Sequence, residues 1–551
     1  MRAKPAARAG PAVAVAAVAG LAPFEFNDLV VGVGVVDLRL VQIMTLGLAG
    51  LALLFAQKGS LGRVGRFPWL FGGAYSVGVC ASWFAADPFP VNMTTTAVRL
   101  LLGPVLAVSV LVLMQSSNGD GRRNVLRVLE WLVWGAAGAS VIGLLAWMLG
   151  GDVGPTSWFR GSPTELGPYQ RLTRPFNHAN VAAMFLAPVA LVAMALAASE
   201  RRASRWLLAS TIAAAAVATY SRMVPIVLVL GCLCAAWSWR SIDGGARRWL
   251  RPGVAVVVLI GLFVTISPAW TARLGAPGRQ AWFGADIEAQ LIDPEPGEVA
   301  VEVVVTNQST QTWTAAGEQR VELSLRWRSV DGETQFAEQQ VSLAQDLAPG
   351  ASQRFAFRAK TPAILAPGSY VVLVDVVRDR EAYFQEVLGG ATELVYEGGA
   401  ADPGRSGSAV LRPIPELRRT DLWRAALSLS GENPIVGVGP GNYRLLYGEA
   451  LDLEEFSKGS HAHSLIFEPL ASTGPVVTVS IIGMIGGVFI TAIRRRQRGQ
   501  LRVEHGAVLI AVLAMALQGL VDWPLIFSAT GFVFWLLLAL WVQLGRLEVE
   551  L

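Results

Sequence analysis

Apolar residues in this chain come mostly in long unbroken runs, not at every second or every third to fourth position. A helix needs about 17–25 such residues to cross the hydrocarbon core of a bilayer. About twelve runs approach or meet that length, near 11–24, 38–56, 68–85, 97–115, 125–149, 179–198, 205–220, 223–239, 252–268, 464–492, 506–521 and 526–545. The first is short enough to pass for the apolar core of a signal peptide. One region breaks the pattern. Within about 297–398, VAVEVVVTNQS, RVELSLRWRS, QRFAFRAK and SYVVLVDVV alternate apolar with polar residues, and DG, APG and APGS turns separate them. Short Val-rich strands with Trp313 and Trp327 among them suggest a β-sandwich of immunoglobulin type. Equally, the segment reads as a rigid spacer or generic glycan-facing module, and nothing in it looks catalytic.

These patterns divide the chain into nine N-terminal transmembrane helices over 1–268, a loop over 269–463, and helices ten to twelve over 464–551. Within the loop lie the 297–398 β-module and, at 418–446, an amphipathic helix, a proline stop and a glycine-rich turn. The flanks at 269–296 and 399–463 read as loop-like, with short helical patches.

Composition agrees with a lipid-solvated chain: 53% of the 551 residues are hydrophobic and 16% charged, where a soluble chain would be near a quarter charged. The net charge of +4 does not call for a nucleic-acid partner, because the basic residues sit in short loops between apolar runs. With Arg2, Lys4 and Arg8 placed inside, alternate loops carry the basic clusters: Lys58, Arg63 and Arg66; Arg122, Arg123 and Arg127; Arg201, Arg202 and Arg205; Arg240, Arg247, Arg248 and Arg251; and RRRQRGQLR at 494–502. Because positive loops stay cytoplasmic, the large loop falls on the outer face. Cys80, Cys232 and Cys234 all lie inside apolar runs, so they imply neither disulfides nor a metal site.

An outer-face site has no nucleotide to draw on, so an activated donor there is lipid-linked, typically a polyprenyl pyrophosphate. Its transfer needs cations for the pyrophosphate leaving group and a base for the acceptor hydroxyl. Arg222 in TYSRMVP, Arg171 and Arg174 in QRLTRPFNHAN, and Arg418, Arg419 and Arg424 run against the charge bias of the outer face. Their planar forks suit pyrophosphate; snorkelling or a structural carboxylate pair is the bland alternative. His461 and His463, in SKGSHAHSLIFEPL at 457–470, stand where the loop meets span ten, with Ser460 or Ser464 as a cap. The positive end of that helix would keep the His463 ring neutral, as a base requires; a histidine there can equally be a capping residue. His178 carries the same ambiguity, and His505 falls on the cytoplasmic side. GVGPG follows no predicted strand and lacks a GK[ST] ending, which argues against a nucleotide loop.

These segments together resemble the O-antigen ligase/polymerase superfamily of bacterial membrane glycosyltransferases. That family has many spans, a large periplasmic loop before the last few, and a motif HxHN-x-x-LE-x-L-x-x-x-G. Here the motif reads from His461 and His463 through Ser464, Phe467 and Glu468 to Gly474. RPFNHAN (174–180) is similar to the family's Asn-x-Asn element, with Asn177 and Asn180; TYSR (219–222) to its Thr-x-Ser-Arg element. RTDLWRAALSLSGENPIVGVGPGNY (419–443), with Trp423, is similar to its Arg-x-x-x-Trp and Gly-rich stretch, and GLVDWPLIF (519–527) to a late-span Asp element. Ser464 stands where Asn is usual, Met223 where Gly follows Ser-Arg, and Pro469 is unusual so early in a helix. The resemblance covers about four fifths of the chain and excludes the β-insert.

The resemblance implies a GT-C-like, all-α polytopic membrane protein with an inserted all-β module, seated in the bacterial inner membrane with its active site on the outer side. It implies that His463 activates the acceptor hydroxyl and that Arg222 engages the donor pyrophosphate, helped by Arg174 and Arg419. His461 orients its neighbour or the acceptor, and Glu468, Asn177, Asn180 and Trp423 support the site. A polyprenyl-pyrophosphate glycan is the donor, and a lipid, glycan or protein the acceptor. Transfer proceeds with inversion, without metal or other cofactor. Ligase and polymerase share these motifs. A flippase for lipid-linked glycans is the alternative, though no inverted repeat of spans favours it. A structural protein displaying the β-module is a third possibility, and it leaves the Arg/His/Trp/Gly set unexplained.

Overall fold

The computed structural model describes residues 10–547 apart from 27–28, 57–65, 87–88, 118–119, 150–153, 161–164, 167–168, 201, 240–254, 256–257, 276–282, 293–297, 317–319, 330–334, 361–367, 379–381, 385–391, 399–416 and 454–459. The basic residues Arg2, Lys4, Arg8, Lys58, Arg63, Arg201, Arg240, Arg247, Arg248 and Arg251, and most of the first turns of span nine, therefore lie outside the described residues.

The chain is mostly helical. Among the described residues five helices are long and apolar enough to cross a membrane: α4 (Pro90–Ser116), α5 (Gly121–Met148), α6 (Ala179–Glu200), α13 (Pro475–Gln497) and α15 (Ser528–Leu547). Five shorter apolar helices accompany them: α1 (Gly10–Leu21), α2 (Leu40–Phe55), α7 (Ala203–Ala218), α8 (Met223–Trp239) and α14 (Val503–Gly519). α3 (Arg66–Ala85) completes the bundle beside α4 and α13. α6 is its axis, flanked by α5, α7, α8, α14 and α15 and buried along nearly its whole length. A helix apolar on every side belongs in such a central place. On the outside, Leu53 and Leu54 of α2, Val77 of α3, Leu207 of α7 and Val479 of α13 are exposed, an apolar skin suited to lipid.

The helix ends sort into two groups. At one end, Arg122 at the start of α5 pairs with buried Glu504 at the start of α14 (2.5 Å), and Arg495 of α13 lies against Gly545 of α15. Arg205 of α7 pairs with Glu130 of α5 (3.0 Å) nearby in the same direction of the chain. At the other end, the N-terminus of α4, the C-termini of α5 and α7 and the loop helices gather around the site described below.

Two corrections to the sequence reading concern boundaries. Span ten is not continuous: a seven-residue helix, α12 (Phe467–Thr473), ends at Gly474, and α13 starts afresh at Pro475. Gly474 takes φ = 81°, and a Cβ there would collide with the carbonyl of Ile435. Proline then fits at the first position of α13, where its missing N–H costs nothing. Pro469 is harmless for the same reason, because it falls in the first turn of α12. The stretch 269–296, read as loop-like, holds α9 (Pro268–Gly275) and a strand, β5 (Ala285–Ile292). Its central Glu288 and Gln290 disguise the alternation that sheet pairing completes. The hairpin of β1 (Val30–Val33) and β2 (Val36–Arg39) is likewise hidden among apolar residues, and β3 (Glu165–Leu166) pairs with β4 (Tyr169–Gln170).

The insert contains two antiparallel sheets. One runs β5, β6 (Glu298–Asn307), β9 (Ser352–Lys360). The other runs β11 (Ala382–Tyr383), β10 (Gly368–Arg378), β7 (Val321–Ser329), β8 (Gln335–Ser342), with β12 (Thr392–Gly398) also paired to β10. Val301, Val303 and Val305 of β6 are buried with Leu323, Leu325 and Trp327 of β7 and Val372, Val374 and Val376 of β10, so period-two faces supply the core. Trp313 is fully buried, edge-on to Phe384 at 5.3 Å. Asn307 is buried too, its amide donating to the carbonyls of Gln311 and Leu347 (2.7 and 2.8 Å), which makes the Asn307-Gln308-Ser309 sequon a structural corner.

Candidate active site

Local sequence sets the loop that carries the two histidines. Ser464 Oγ accepts from the N–H groups of Ile466 and Phe467 (3.2 and 3.3 Å), which caps α12. Leu465 N donates to the carbonyl of Gly519 at 2.6 Å, pinning the loop to the end of α14. Only glycine permits this approach, since a Cβ at 519 would sit 2.9 Å from Leu465 Cβ. His463 itself lies before the helix, not in its first turn, with φ = 48°. A non-glycine residue held there costs on the order of 1–2 kcal/mol, so the surroundings must impose it.

Two His–carboxylate pairs result. His463 Nδ1 lies 3.2 Å from Asp522 Oδ1, and His461 Nδ1 lies 3.3 Å from Glu468 Oε1. An ionised carboxylate only accepts, so in each pair Nδ1 is the donor, the tautomer that in a neutral ring leaves Nε2 with its lone pair. Asp522 sits in the turn after α14, its Oδ1 also accepting from Trp523 N at 3.0 Å. Burial pushes its carboxyl upward, but the His463 bond and charge, the Trp523 N–H and Arg419 outweigh that and hold it below the ordinary value. Glu468 is fully buried, and its Oε2 accepts from Ala462 N at 2.7 Å, between the two histidines.

Arg419 opens the loop helix α10 (Arg419–Glu432) and donates from Nη1 to the carbonyl of Val521, the residue before Asp522. Desolvation and the Arg222 charge lower its pKa, while Asp522 raises it. Arg222 is exposed in the turn between α7 and α8, with Nε and Nη2 on the carbonyl of Arg273 in α9 (3.2 and 2.8 Å). The root of the insert thus holds this arginine. Trp423 of α10 donates to the carbonyl of Ala462 at 3.0 Å and stacks on Phe467 at 5.2 Å.

The glycine-rich turn, which runs into α11 (Tyr443–Leu446), has a structural task. Gly437, Gly439 and Gly441 all take positive φ, and Val438 N and Gly439 N donate to the carbonyls of Ala471 and Ser472 (2.8 and 2.9 Å). They cap the C-terminus of α12, while a Cβ at Gly441 would collide with Thr96 of α4. Backbone donors committed in this way cannot cradle phosphate.

The remaining expected residues are placed elsewhere. Arg174 is buried, and its Nη1 donates to the carbonyls of Thr156 and Phe159 (2.7 Å each), which holds that turn. Arg171, also buried, bonds the carbonyl of Thr219 and Asn180 Oδ1 (2.8 Å each), tying RPFNHAN to TYSR. Asn177 is half-buried two residues before α6. His178 Nδ1 accepts from Asn180 N at 3.1 Å, a capping role. Arg424 is exposed and pairs with Asp421 at 3.3 Å. Asp522, the acid of GLVDWPLIF that the resemblance to a late-span Asp element marks, is given no role among the expected site residues. Among the described residues no group of three or more His, Cys, Asp or Glu side chains could hold a metal ion.

No family model matches the chain, and no curated protein matches it. Among solved structures, it is similar to Pseudomonas fluorescens alkylpurine DNA glycosylase AlkC bound to DNA containing an abasic site analog, at 12% identity over 60% of this chain and 97% of that chain. The TM-score of 0.14 carries no argument about fold or function.

Proposed function

We propose that this chain is an outer-face membrane glycosyltransferase of the O-antigen ligase/polymerase kind, with twelve spans and an immunoglobulin-like insert, seated in a bacterial inner membrane. One observation carries the reading: His463 is bonded to Asp522, and Arg419, on which the Arg222 charge acts, holds the carbonyl of Val521, the residue before Asp522. An oriented base beside two guanidinium groups suits the attack of a hydroxyl on a phosphorylated sugar.

His463 Nε2 takes the proton of the acceptor hydroxyl, and Asp522 stabilises the resulting imidazolium through Nδ1–H. The acceptor oxygen forms a bond to the anomeric carbon from the face opposite the leaving group. The bond from that carbon to the pyrophosphate oxygen breaks, and polyprenyl pyrophosphate departs with the electron pair. Arg222 and Arg419 balance its charge, and the carbon inverts. His461 and Glu468 hold the Ala462 backbone that presents His463.

The test is to incubate purified protein in nanodiscs with a polyprenyl-pyrophosphate oligosaccharide, beside His463→Ala, and separate products by size. A ladder of regular steps absent from the variant means polymerase; a single transfer requiring added acceptor means ligase. If polyprenyl pyrophosphate is released in neither sample, the assignment fails and transport of the lipid-linked glycan takes its place.

A further inference from the structure

At the end of the bundle away from His463, a cleft of about 1030 Å³ runs between α3, α4, α13 and α15. Pro104, Val108 and Leu111 of α4 line it together with Trp535 and Leu538 of the adjoining α15. Gly72 and Gly73 leave its side open, because a Cβ at either would meet nothing within 4 Å. Along α13 the cleft follows the helix from Met484 to Arg495, a rise of about 16 Å at roughly 1.5 Å per residue. That is about one leaflet of a hydrocarbon core roughly 30 Å thick.

Only one end of the cleft is charged. Arg494 and Arg495 come from the last turn of α13 and Arg546 from the last turn of α15, and among the described residues lining it there is no acid. Arg495 is built into place: its guanidinium lies 4.9 Å from the centre of the Trp541 ring, and the Trp541 N–H is held by Thr491 Oγ1 at 3.0 Å. Gly545 makes room for it, since a Cβ there would collide with Arg495 Nη2. Arginines that merely snorkel at helix ends, compensating the helix dipole, need neither a leaflet-deep apolar cleft nor a glycine cut for the guanidinium.

We propose that this cleft binds one anionic glycerophospholipid, its acyl chains along α3 and α4 and its phosphate on Arg494, Arg495 and Arg546. Basic pockets between helices on the side of the membrane where basic loops collect are suited to such headgroups. A zwitterionic lipid would set its cationic group among three arginines. The proposal is independent of glycan transfer and stands or falls on lipid binding alone.

Native mass spectrometry of the purified full chain, with lipid identification, tests it against dioleoyl phosphatidylglycerol and dioleoyl phosphatidylethanolamine. Three variants accompany the wild type: Gly73→Leu, which fills the cleft; the triple Arg494→Gln, Arg495→Gln, Arg546→Gln; and Arg123→Gln, an exposed arginine at the start of α5 as control. The wild type and Arg123→Gln are expected to retain phosphatidylglycerol and gain thermal stability from it. Gly73→Leu and the triple variant should retain at least tenfold less. If the triple variant does not fold, Gly73→Leu decides alone. Equal retention of both lipids, unchanged retention in Gly73→Leu, or co-purification of a polyprenyl phosphate in the lipid's place would overturn it.

Discussion

His461 and His463 lie two residues apart, each with its Nδ1 on a carboxylate, yet the two pairs belong to different parts of the molecule. Glu468 follows His461 within the same loop and helix; it is fully buried and also holds Ala462 N and lies 3.4 Å from Ser472 Oγ. Asp522 comes from the far side of α13 and α14, so the His463 pair exists only once the helices are assembled. The His461 side chain is 17% exposed and that of His463 35%. The first pair sits where it shapes backbone; the second is the more exposed, and the charge of Arg419 acts on its Asp522. Chemistry in common therefore does not mean a role in common: what surrounds the pair decides.

That contrast can be broken by substitution. His463→Ala should lower transfer by roughly 10²–10⁴-fold, the usual worth of a positioned base, with the protein still present in membranes at normal level. Arg419→Gln and Arg222→Gln should each cost about 10²–10³-fold, as for lost stabilisation of a developing anion. A rise in KM without a fall in kcat would make them binding residues only. Asp522→Asn should cost about 10–100-fold, the range for a partner that orients another group, and should change the pH profile of kcat/KM. Glu468→Gln should act in the opposite sense, lowering thermal stability by about 1–3 kcal/mol through the disturbed buried acceptor while activity per folded molecule changes less than in Asp522→Asn. If Glu468→Gln abolishes transfer in a fully folded protein and Asp522→Asn does not, the two pairs have been assigned the wrong way round.

The smallest expected effect is on acid stability. The carboxyl of Asp522 is held below its ordinary value of 3.8 in the folded chain, so its contribution is complete above that value and fades as the pH falls through the lower folded one. Melting of the wild type between pH 3 and 7 should therefore lose this part only below about 4, and Asp522→Asn should flatten the acid limb. An identical limb in the variant would mean that other carboxylates carry it.

Much of this was legible in the chain beforehand. The apolar runs located most helices, because a run of twenty apolar residues has few soluble uses. The alternation of VAVEVVV and SYVVLVDVV located β6 and β10, because the sheet period is fixed at two. β5 escaped: its Glu288 and Gln290 face away from the core, and the strand is defined by pairing with β6. The break at Gly474 escaped because apolarity hides a kink that only the carbonyl of Ile435 explains.

For the site, residue types determined the candidates: histidine as a base near neutral pH, arginine as a permanent fork for phosphate, and their positions beside apolar runs. Which candidates meet was decided by tertiary structure alone. Arg174 and Arg419 are the same residue type in similar settings, yet one is buried on the carbonyls of Thr156 and Phe159, while the carbonyl of Val521 sets the other beside Asp522. Local sequence encodes what a side chain can do; contacts between residues 59 or 102 positions apart, as in His463–Asp522 and Arg419–Val521, encode where it does it. No local pattern can carry that information, because the distance across the fold is fixed by how the helices pack.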